Sequence, residues 1–216
     1  MMNPIATDAA VDAAVPPGVL TRLTAADPAD DETLEHLHSA LARAAQAEGV
    51  LDVAYRILDT PVGPLLLAAT ERGLVRVAYA SQNHDLVLQQ LAEQLSPRIL
   101  NAPQRLDAAA REIDEYFAGI RTSFGLALDF RLATGFRREV LARLTEIGYG
   151  HTESYAGVAI AAGHPRAFRA VGSACATNPL PLVVPCHRVV RSDGSLGEYA
   201  GGTAAKRALL CLEAAA

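Results

Sequence analysis

Three short apolar segments in the first half of the chain constrain the fold most, because their backbone groups must pair with one another in a sheet. These segments are residues 52–58, 65–70 and 74–79. The sequences TPVG and ERG that separate them are typical of hairpin turns. Apolar residues recur at helical spacing near 83–95 and 104–119, and a further strand is expected at 126–131. Strands followed by helices predict a small α+β domain.

The second half of the chain predicts a mainly helical domain. Residues 136–147 (FRREVLARLTEI) form its first expected helix. Residues 153–178 then predict a short helix, a turn at Gly163-His164-Pro165 and a second helix, which is the spacing of a helix-turn-helix motif. The second helix carries several small side chains. They would let its backbone approach a binding partner closely, or they would allow tight packing against another helix of the same domain. They are Ala170, Gly172, Ser173 and Ala174.

The first 50 residues fit neither pattern. Residues 1 to about 26 have no periodicity and predict a tail without regular structure. Asp27 and Pro28 suit the start of a helix on which Leu34, Leu37 and Leu41 share one face. The predicted organisation is an extension at 1–50, an α+β domain at 51–133 and a helical domain at 134–216.

The net charge of −5 is unevenly distributed along the chain. Residues 1–50 carry −6 and residues 51–133 carry −2, whereas residues 134–216 carry +3. The basic excess could meet phosphates, although the charge alone favours an ordinary solvated surface. No apolar run has the length of a membrane span, and the acidic N-terminus is unlike a secretion signal. A cytoplasmic protein with no membrane partner is therefore expected.

The cysteines are the candidates for chemistry. The chain has three of them, Cys175, Cys186 and Cys211. They cannot all pair and have no metal-like spacing, so reduced thiols and no metal are expected. Cys186 follows an apolar run at 180–184 that predicts a buried strand, and the adjacent His187 and Arg188 could lower its thiol pKa. Neighbours on a strand point to opposite faces, so His187 would need a bridging water or a bend after Pro185. An ordinary core cysteine is the alternative.

One long segment of the helical half carries a family resemblance. The sequence NPLPLVVPCHRVVRSDGSLGEYAGG closely resembles the active-site signature of the O6-alkylguanine-DNA alkyltransferases, and RAVGSACATN resembles their DNA-binding helix. The resemblance runs from about residue 52 to 213 and is dense from 134 onward. It implies a ribonuclease H-like first domain and an alkyltransferase domain that contains the helix-turn-helix. It also implies single-turnover DNA repair, in which a methyl or other alkyl group moves from O6 of guanine to Cys186. Activity on O4 of thymine stays open.

The resemblance also implies roles for residues near Cys186. His187 would draw off the thiol proton through a water, Glu213 would hold the imidazole, and Asn178 would tie the DNA-binding helix to the Cys186 segment. Tyr155 would rotate the target phosphate and donate a proton toward N3 of guanine. The pocket for the base would be formed by Val189, Tyr199, Ala200 and Cys175.

The implied partner is double-stranded DNA that contains O6-alkylguanine, bound by a monomer that needs no cofactor. The target base would leave the duplex, Arg169 would take its place, and the small-residue helix would lie in the minor groove. Further DNA contacts would come from Arg137, His164, Ser192, Ala170 and Gly172. Three residues depart from the family's common pattern: Phe168, Cys175 and Glu198. Phe168 could wedge against DNA or fill a gap behind its helix, Cys175 could loosen the base pocket, and Glu198 could weaken DNA binding.

Three other functions compete with alkyl transfer. A lesion-binding relative would recognise the damaged base without transfer, but such proteins lack the acceptor thiol, and this chain keeps Cys186, His187 and Glu213 together. A damage-sensing regulator would need a metal-bearing N-terminal module, which residues 1–50 cannot supply. A Cys–His hydrolase would turn over repeatedly and would not need DNA.

Overall fold

The structure is a computed structural model that describes residues 28–215. The predicted tail at 1–26 and the predicted cap at Asp27 lie outside the described residues. The described residues divide into two units, with the boundary between residues 40 and 41. The first described helix, α1, spans Pro28–Ala47. The sheet, the remaining helices and the candidate site all belong to the second unit.

A four-stranded sheet contains the three predicted strands. They are β1 (Val53–Leu58), β2 (Leu65–Thr70) and β3 (Gly73–Tyr79), and they pair antiparallel in sequence order. A fourth strand, β4 (Ile99–Asn101), was not predicted, since three residues are too few to show an alternating pattern. It pairs parallel with β1 and gives the strand order β3-β2-β1-β4.

The strand predicted at 126–131 is wrong. A single bridge joins Leu128 to Leu74, because only the N–H and C=O of Leu74 reach this segment, at Ala127 and Asp129. The chain then turns into a short 3-10 helix at Phe130–Leu132. The apolar residues that suggested a strand pack instead as a loop against the sheet core.

Two helices cover opposite faces of the sheet. Helix α2 (His84–Gln94) begins at Asn83, whose side chain accepts hydrogen bonds from the first backbone amides. It packs Val87 and Leu91 on the face that carries Leu66. Helix α3 (Asp107–Phe117) packs Tyr116 on the other face, which carries Leu65. Burial on both faces explains why β2 is a continuous apolar run.

The second half is mainly helical, as predicted. It contains α4 (Gly135–Leu144), α5 (Tyr155–Ala161), α6 (Phe168–Ala176) and α7 (Gly202–Ala214). Helices α5 and α6 form the predicted helix-turn-helix, and the Ser154 hydroxyl caps α5 by accepting from the Gly157 amide. Two short parallel strands, β5 (Glu153–Ser154) and β6 (Val189–Val190), bring the chain beside α5. The mixed α+β class is confirmed.

The buried strand predicted at 180–184 is wrong as well. This segment is buried but forms turns, and Leu182 has a positive φ of 76°. Pro181 and Pro185 lack the N–H that a strand ladder needs. A short 3-10 helix, Cys186–Arg188, follows directly. A bend after Pro185, one of the two arrangements that the sequence analysis left open, is therefore present, and the Cys186 thiol lies on a turn.

One core joins the sheet to the helical half. Its buried residues run from Leu65 in β2 to Leu209 in α7, so both halves support the segment that carries Cys186. Within residues 28–215, no helix is long and apolar enough to cross a bilayer. The division at 133/134 falls between the 3-10 helix and α4 and stays a prediction.

Candidate active site

Asn178 fixes the position of the Cys186 thiol. Its side-chain amide donates to the Val184 carbonyl at 2.9 Å and to Sγ of Cys186 at 3.1 Å. Its side-chain oxygen accepts from the Leu180 amide at 2.9 Å. Asn178 follows α6, so these bonds connect the end of that helix to the turns that carry Cys186. Both side chains are buried, which makes each of these hydrogen bonds costly to lose.

His187 and Glu213 form a buried pair beside this turn. Nε2 of His187 lies 2.8 Å from Oε1 of Glu213, and the imidazole has no solvent exposure. The Glu213 carboxylate also accepts hydrogen bonds from the Arg188 guanidinium at 2.9 Å and from the Tyr116 hydroxyl at 2.7 Å. The carboxylate accepts from the Gly150 amide as well, so four chain segments meet at it: α3, the loop at Gly150, the Cys186–Arg188 turn and the last helix of the chain.

The charges in this cluster decide which imidazole nitrogen can act as a base. Burial acts to raise the pKa of Glu213, but hydrogen bonds from His187 and Arg188 outweigh it and hold the pKa at about 2. An ionised carboxylate only accepts, so Nε2 of His187 must carry the proton. Burial lowers the pKa of His187, although Glu213 opposes this, and the imidazole is neutral near pH 7. Its lone pair is therefore on Nδ1, which is buried and has no partner among residues 28–215.

The prediction that its neighbours lower the thiol pKa of Cys186 is wrong for the resting site. Burial raises the pKa of Cys186 to about 11, and the Asn178 hydrogen bond and the Lys206 charge offset this only in part. Arg188 does not help, because its guanidinium is paired with the Glu213 carboxylate. The thiol is protonated at neutral pH, so a nucleophile forms only when a base removes the proton.

Several residues of the site were not predicted from the sequence. Lys206 is completely buried, and its ammonium donates to the Val189 carbonyl at 2.6 Å. Lys206, Leu209 and Glu213 have the spacing of one helix face, a signal that could have identified Lys206. No local signal points to Tyr116, which lies 97 residues before Glu213.

The residues predicted to form a base pocket lie around the Cys186 turn. The buried Tyr199 hydroxyl lies 2.9 Å from that of Tyr79, which brings β3 into the site. Cys175 is buried in the core that contains Cys186, and burial raises the pKa of its thiol. Ala200 is partly buried. The Val189 carbonyl already accepts the bond from Lys206, so a base would have to use its second lone pair.

Tyr155 is the first residue of α5 and is half-buried. Burial raises the pKa of its hydroxyl, and the nearby thiol groups of Cys175 and Cys186 add to the rise. A Cβ at Gly197 would overlap the Tyr155 hydroxyl, so any other residue there would require the Tyr155 side chain to shift. Tyr155 is therefore protonated near pH 7 and can act as a donor.

The residues predicted to contact DNA are mostly exposed on the helix-turn-helix. Arg169, Ala170, His164 and Ser192 are exposed, and Gly172 is partly exposed. Phe168 is 47% exposed, and the Arg169 guanidinium lies 5.7 Å from the centre of its ring. Phe168 therefore does not fill a gap behind α6. Glu198 is exposed as well.

Arg137 is less exposed than most of the other residues that were predicted to contact DNA. It is partly buried, and its guanidinium donates to the Leu132 carbonyl. The basic excess at 134–216 is also not all available at the surface, because Arg188 and Lys206 are buried. Within residues 28–215, no group of three or more His, Cys, Asp or Glu side chains could hold a metal ion.

Two family profiles cover most of the chain. The profile described as "6-O-methylguanine DNA methyltransferase, ribonuclease-like domain" matches residues 53–130. The profile described as "6-O-methylguanine DNA methyltransferase, DNA binding domain" matches residues 135–215.

Similar proteins extend over about three quarters of the chain. A methylated-DNA--protein-cysteine methyltransferase of Methanosarcina barkeri is 38% identical over 159 residues, which is 74% of this chain and 96% of that protein. A protein of the same name from Mycobacterium tuberculosis is 40% identical over 74% of this chain and 91% of its own length. The crystal structure of Mycobacterium tuberculosis OGT in complex with DNA superposes with a TM-score of 0.65 at 39% identity, over 75% of this chain and 93% of that chain.

A buried cysteine beside an imidazole–carboxylate pair, next to an exposed helix-turn-helix, defines a DNA-binding protein with a candidate nucleophilic thiol. The two matched profiles and the identity to these relatives make the class specific. The chain belongs to the 6-O-methylguanine DNA methyltransferase family.

Proposed function

We propose that this protein repairs double-stranded DNA by moving an alkyl group from O6 of guanine to Sγ of Cys186, once per molecule. The observation that carries the proposal is the placement of Cys186 and His187 on one buried turn, with Nε2 of His187 held 2.8 Å from Glu213. Membership in a methyltransferase family whose relatives are named for transfer to a protein cysteine supports it.

The chemistry begins with removal of the thiol proton. Nδ1 of His187 is the nitrogen with a lone pair, so it would take the proton of Cys186, through a bridging water. The imidazolium that forms is stabilised by the Glu213 carboxylate. Asn178 and Lys206 would stabilise the thiolate, since both act to lower the Cys186 pKa. Deprotonation thus depends on the cluster behind the thiol.

The transfer itself is an in-line displacement at the alkyl carbon. The thiolate sulfur forms a bond to this carbon as the bond to O6 breaks, and the electron pair of that bond stays with the guanine. Tyr155 would donate a hydrogen bond toward N3 as negative charge develops on the base. The restored guanine takes up, in net terms, the proton that the thiol lost. The thioether is inert, so each molecule acts once and needs no cofactor.

DNA would bind across the helix-turn-helix as the base leaves the stack. Helix α6 would lie in the minor groove, where its small residues allow close approach. Arg169 is exposed near the start of this helix and would take the place of the flipped base. His164 and Ser192, also exposed, would contact phosphates. We propose that the protein acts as a cytoplasmic monomer, with residues 51–133 as the supporting domain and 134–216 as the DNA-binding domain.

The test is the mass of the intact protein after incubation with a duplex that carries one O6-methylguanine. The expected result is a gain of one methylene per molecule, mapped to the peptide with Cys186 and lost in Cys186→Ala. Cys211→Ala is the matched control, because Cys211 is exposed and outside the site, and it should keep the gain. Lesion-selective binding without a mass gain would refute transfer, and repeated turnover would refute the single-use mechanism.

A further inference from the structure

A small cavity beside α4 is lined by cationic and polar side chains without an acid. Its volume is about 180 Å³. The side chains that line it come from β3, α2, α4 and the residue that follows α6: Arg76, Gln90, Gln94, Arg137 and Thr177, together with the apolar Val87, Leu91 and Leu132. None of the described residues that line this cavity is Asp or Glu.

Arg76 is the unusual member of this group. It is partly buried, and this burial lowers its pKa. Among residues 28–215 it has no hydrogen-bond or ion-pair partner. Two other arginines of the sheet domain are paired with acids: the partly buried Arg56 with Asp107 at 3.0 Å, and the exposed Arg131 with Asp129 at 2.6 Å. An unpaired cation that is partly shielded from water is stabilised by a bound anion, so Arg76 is a candidate anion ligand.

Arg137 faces the same cavity and is also incompletely paired. Its guanidinium donates to the Leu132 carbonyl, but its Nε is buried and has no partner among the described residues. A guanidinium presents five donors in a planar fork that matches the oxygens of a phosphate. Two such groups beside the amides of Gln90 and Gln94 give a donor-rich lining that suits a phosphate.

The position of the cavity indicates the source of the phosphate. Thr177 follows α6 directly and is exposed, so one wall of the cavity continues the helix that we place on DNA. Phe136, next to Arg137, contacts His164 of the helix-turn-helix turn with 5.1 Å between ring centres. The cavity therefore borders the end of α6, and Arg137 in its wall is the neighbour of a residue that contacts the helix-turn-helix turn.

We propose that Arg76, together with Arg137, binds a backbone phosphate of the DNA held by α6, so that the sheet domain takes part in DNA binding. This inference rests on the proposed function for its ligand. It assigns a DNA contact to a residue far from the helix-turn-helix in sequence. The two guanidinium groups could bind a phosphate diester of DNA or a free phosphate ion in the same way, and the experiment distinguishes the two.

The experiment measures the affinity of the full chain for an undamaged duplex between 50 and 200 mM KCl by fluorescence anisotropy. Each lost phosphate contact makes the slope of log K against log salt shallower by about 0.9. We expect a shallower slope for Arg76→Met, and no change for Arg72→Met, an exposed arginine in the neighbouring turn. Arg76→Lys, which keeps the charge, should keep the slope. Arg76→Met with Arg137→Met should lose one full contact and no more, and Arg76→Met alone should lose part of it, because both arginines bind the same phosphate.

The outcomes are distinct from those that test alkyl transfer. A wild-type slope in folded Arg76→Met would overturn the proposal. If Arg76→Met does not unfold cooperatively, Arg76→Gln takes its place, and a wild-type slope there has the same meaning. Binding of inorganic phosphate that is lost in Arg76→Met, with an unchanged DNA slope, would overturn the DNA assignment. If the wild-type protein accepts no methyl group but the slope difference persists, the phosphate site stands and the proposed function fails.

Discussion

The hydroxyl of Tyr116 connects the sheet domain to the carboxylate that holds His187, and its removal tests that connection. Tyr116→Phe deletes a 2.7 Å hydrogen bond to Oε1 of Glu213 in a fully buried site. A hydrogen bond to a charged group contributes about 1.5–3 kcal/mol. Arg188 and His187 still pair with the carboxylate, so the lower half of that range applies. We expect the free energy of unfolding to fall by about 2 kcal/mol.

The same substitution should change the pH dependence of transfer. With one donor lost, the Glu213 carboxylate becomes more basic and favours the imidazolium form of His187. The pKa of His187 therefore rises. Because His187 must be neutral to accept the thiol proton, the acid limb of the transfer rate should move to higher pH. A purely structural role for Tyr116 would lower stability and leave this limb in place.

The assays are urea unfolding at pH 7 and the single-turnover rate of methyl transfer from pH 5 to 9. Tyr149→Phe is the matched control, because its hydroxyl donates only a long bond of 3.4 Å to the Leu212 carbonyl. The control should lose less than about 1 kcal/mol and keep its acid limb. Equal losses of stability in the two variants, or an unmoved acid limb in Tyr116→Phe, would refute the reasoning.

Two further predictions follow from the buried polar groups. Asn178→Ala leaves the Leu180 amide without a partner, while the Val184 carbonyl keeps its hydrogen bond from the Cys186 amide. The free energy of unfolding in denaturant should therefore fall by about 2 kcal/mol, whereas a fall below about 1 kcal/mol would mean that another group satisfies this amide. Glu213 has a pKa of about 2 in the folded protein, against an ordinary value of 4.5. Its ionised carboxylate therefore adds at most about 3 kcal/mol to the free energy of unfolding. This contribution is complete above pH 4.5 and is lost as the pH falls toward 2. His187 is buried and has a lowered pKa, so the unfolded chain takes up its proton first. Stability therefore also falls as the pH drops below 6.5, the ordinary pKa of histidine. Thermal unfolding from pH 2 to 7 should show this loss of stability in acid, and the stability of Glu213→Gln should depend less on pH below pH 4.5. Identical pH profiles for the two proteins would contradict the role given to Glu213.

The sequence by itself determined the elements whose signals are local. The three strands with their turns and the two helices of the helix-turn-helix were predicted within a few residues, because alternation and helical spacing reflect which side chains face a core. Cys186 and His187 were found because they are adjacent in a motif. Glu213 was found only through the family resemblance, since as a helix residue it looks like a surface acid.

Only the tertiary structure decided the features that depend on distant partners. The segment 180–184 is buried like a strand but forms turns. The prolines in and beside it lack the N–H groups that pairing with a neighbouring strand requires, and core residues surround it on several sides. The pKa of Cys186 is raised because desolvation outweighs its neighbours, and Arg188 is committed to Glu213. Tyr116 reaches that carboxylate across 97 positions of sequence. Periodicity records which side of an element is buried, but not which residue lies against it, and both the charge state and the chemistry of this site depend on the latter.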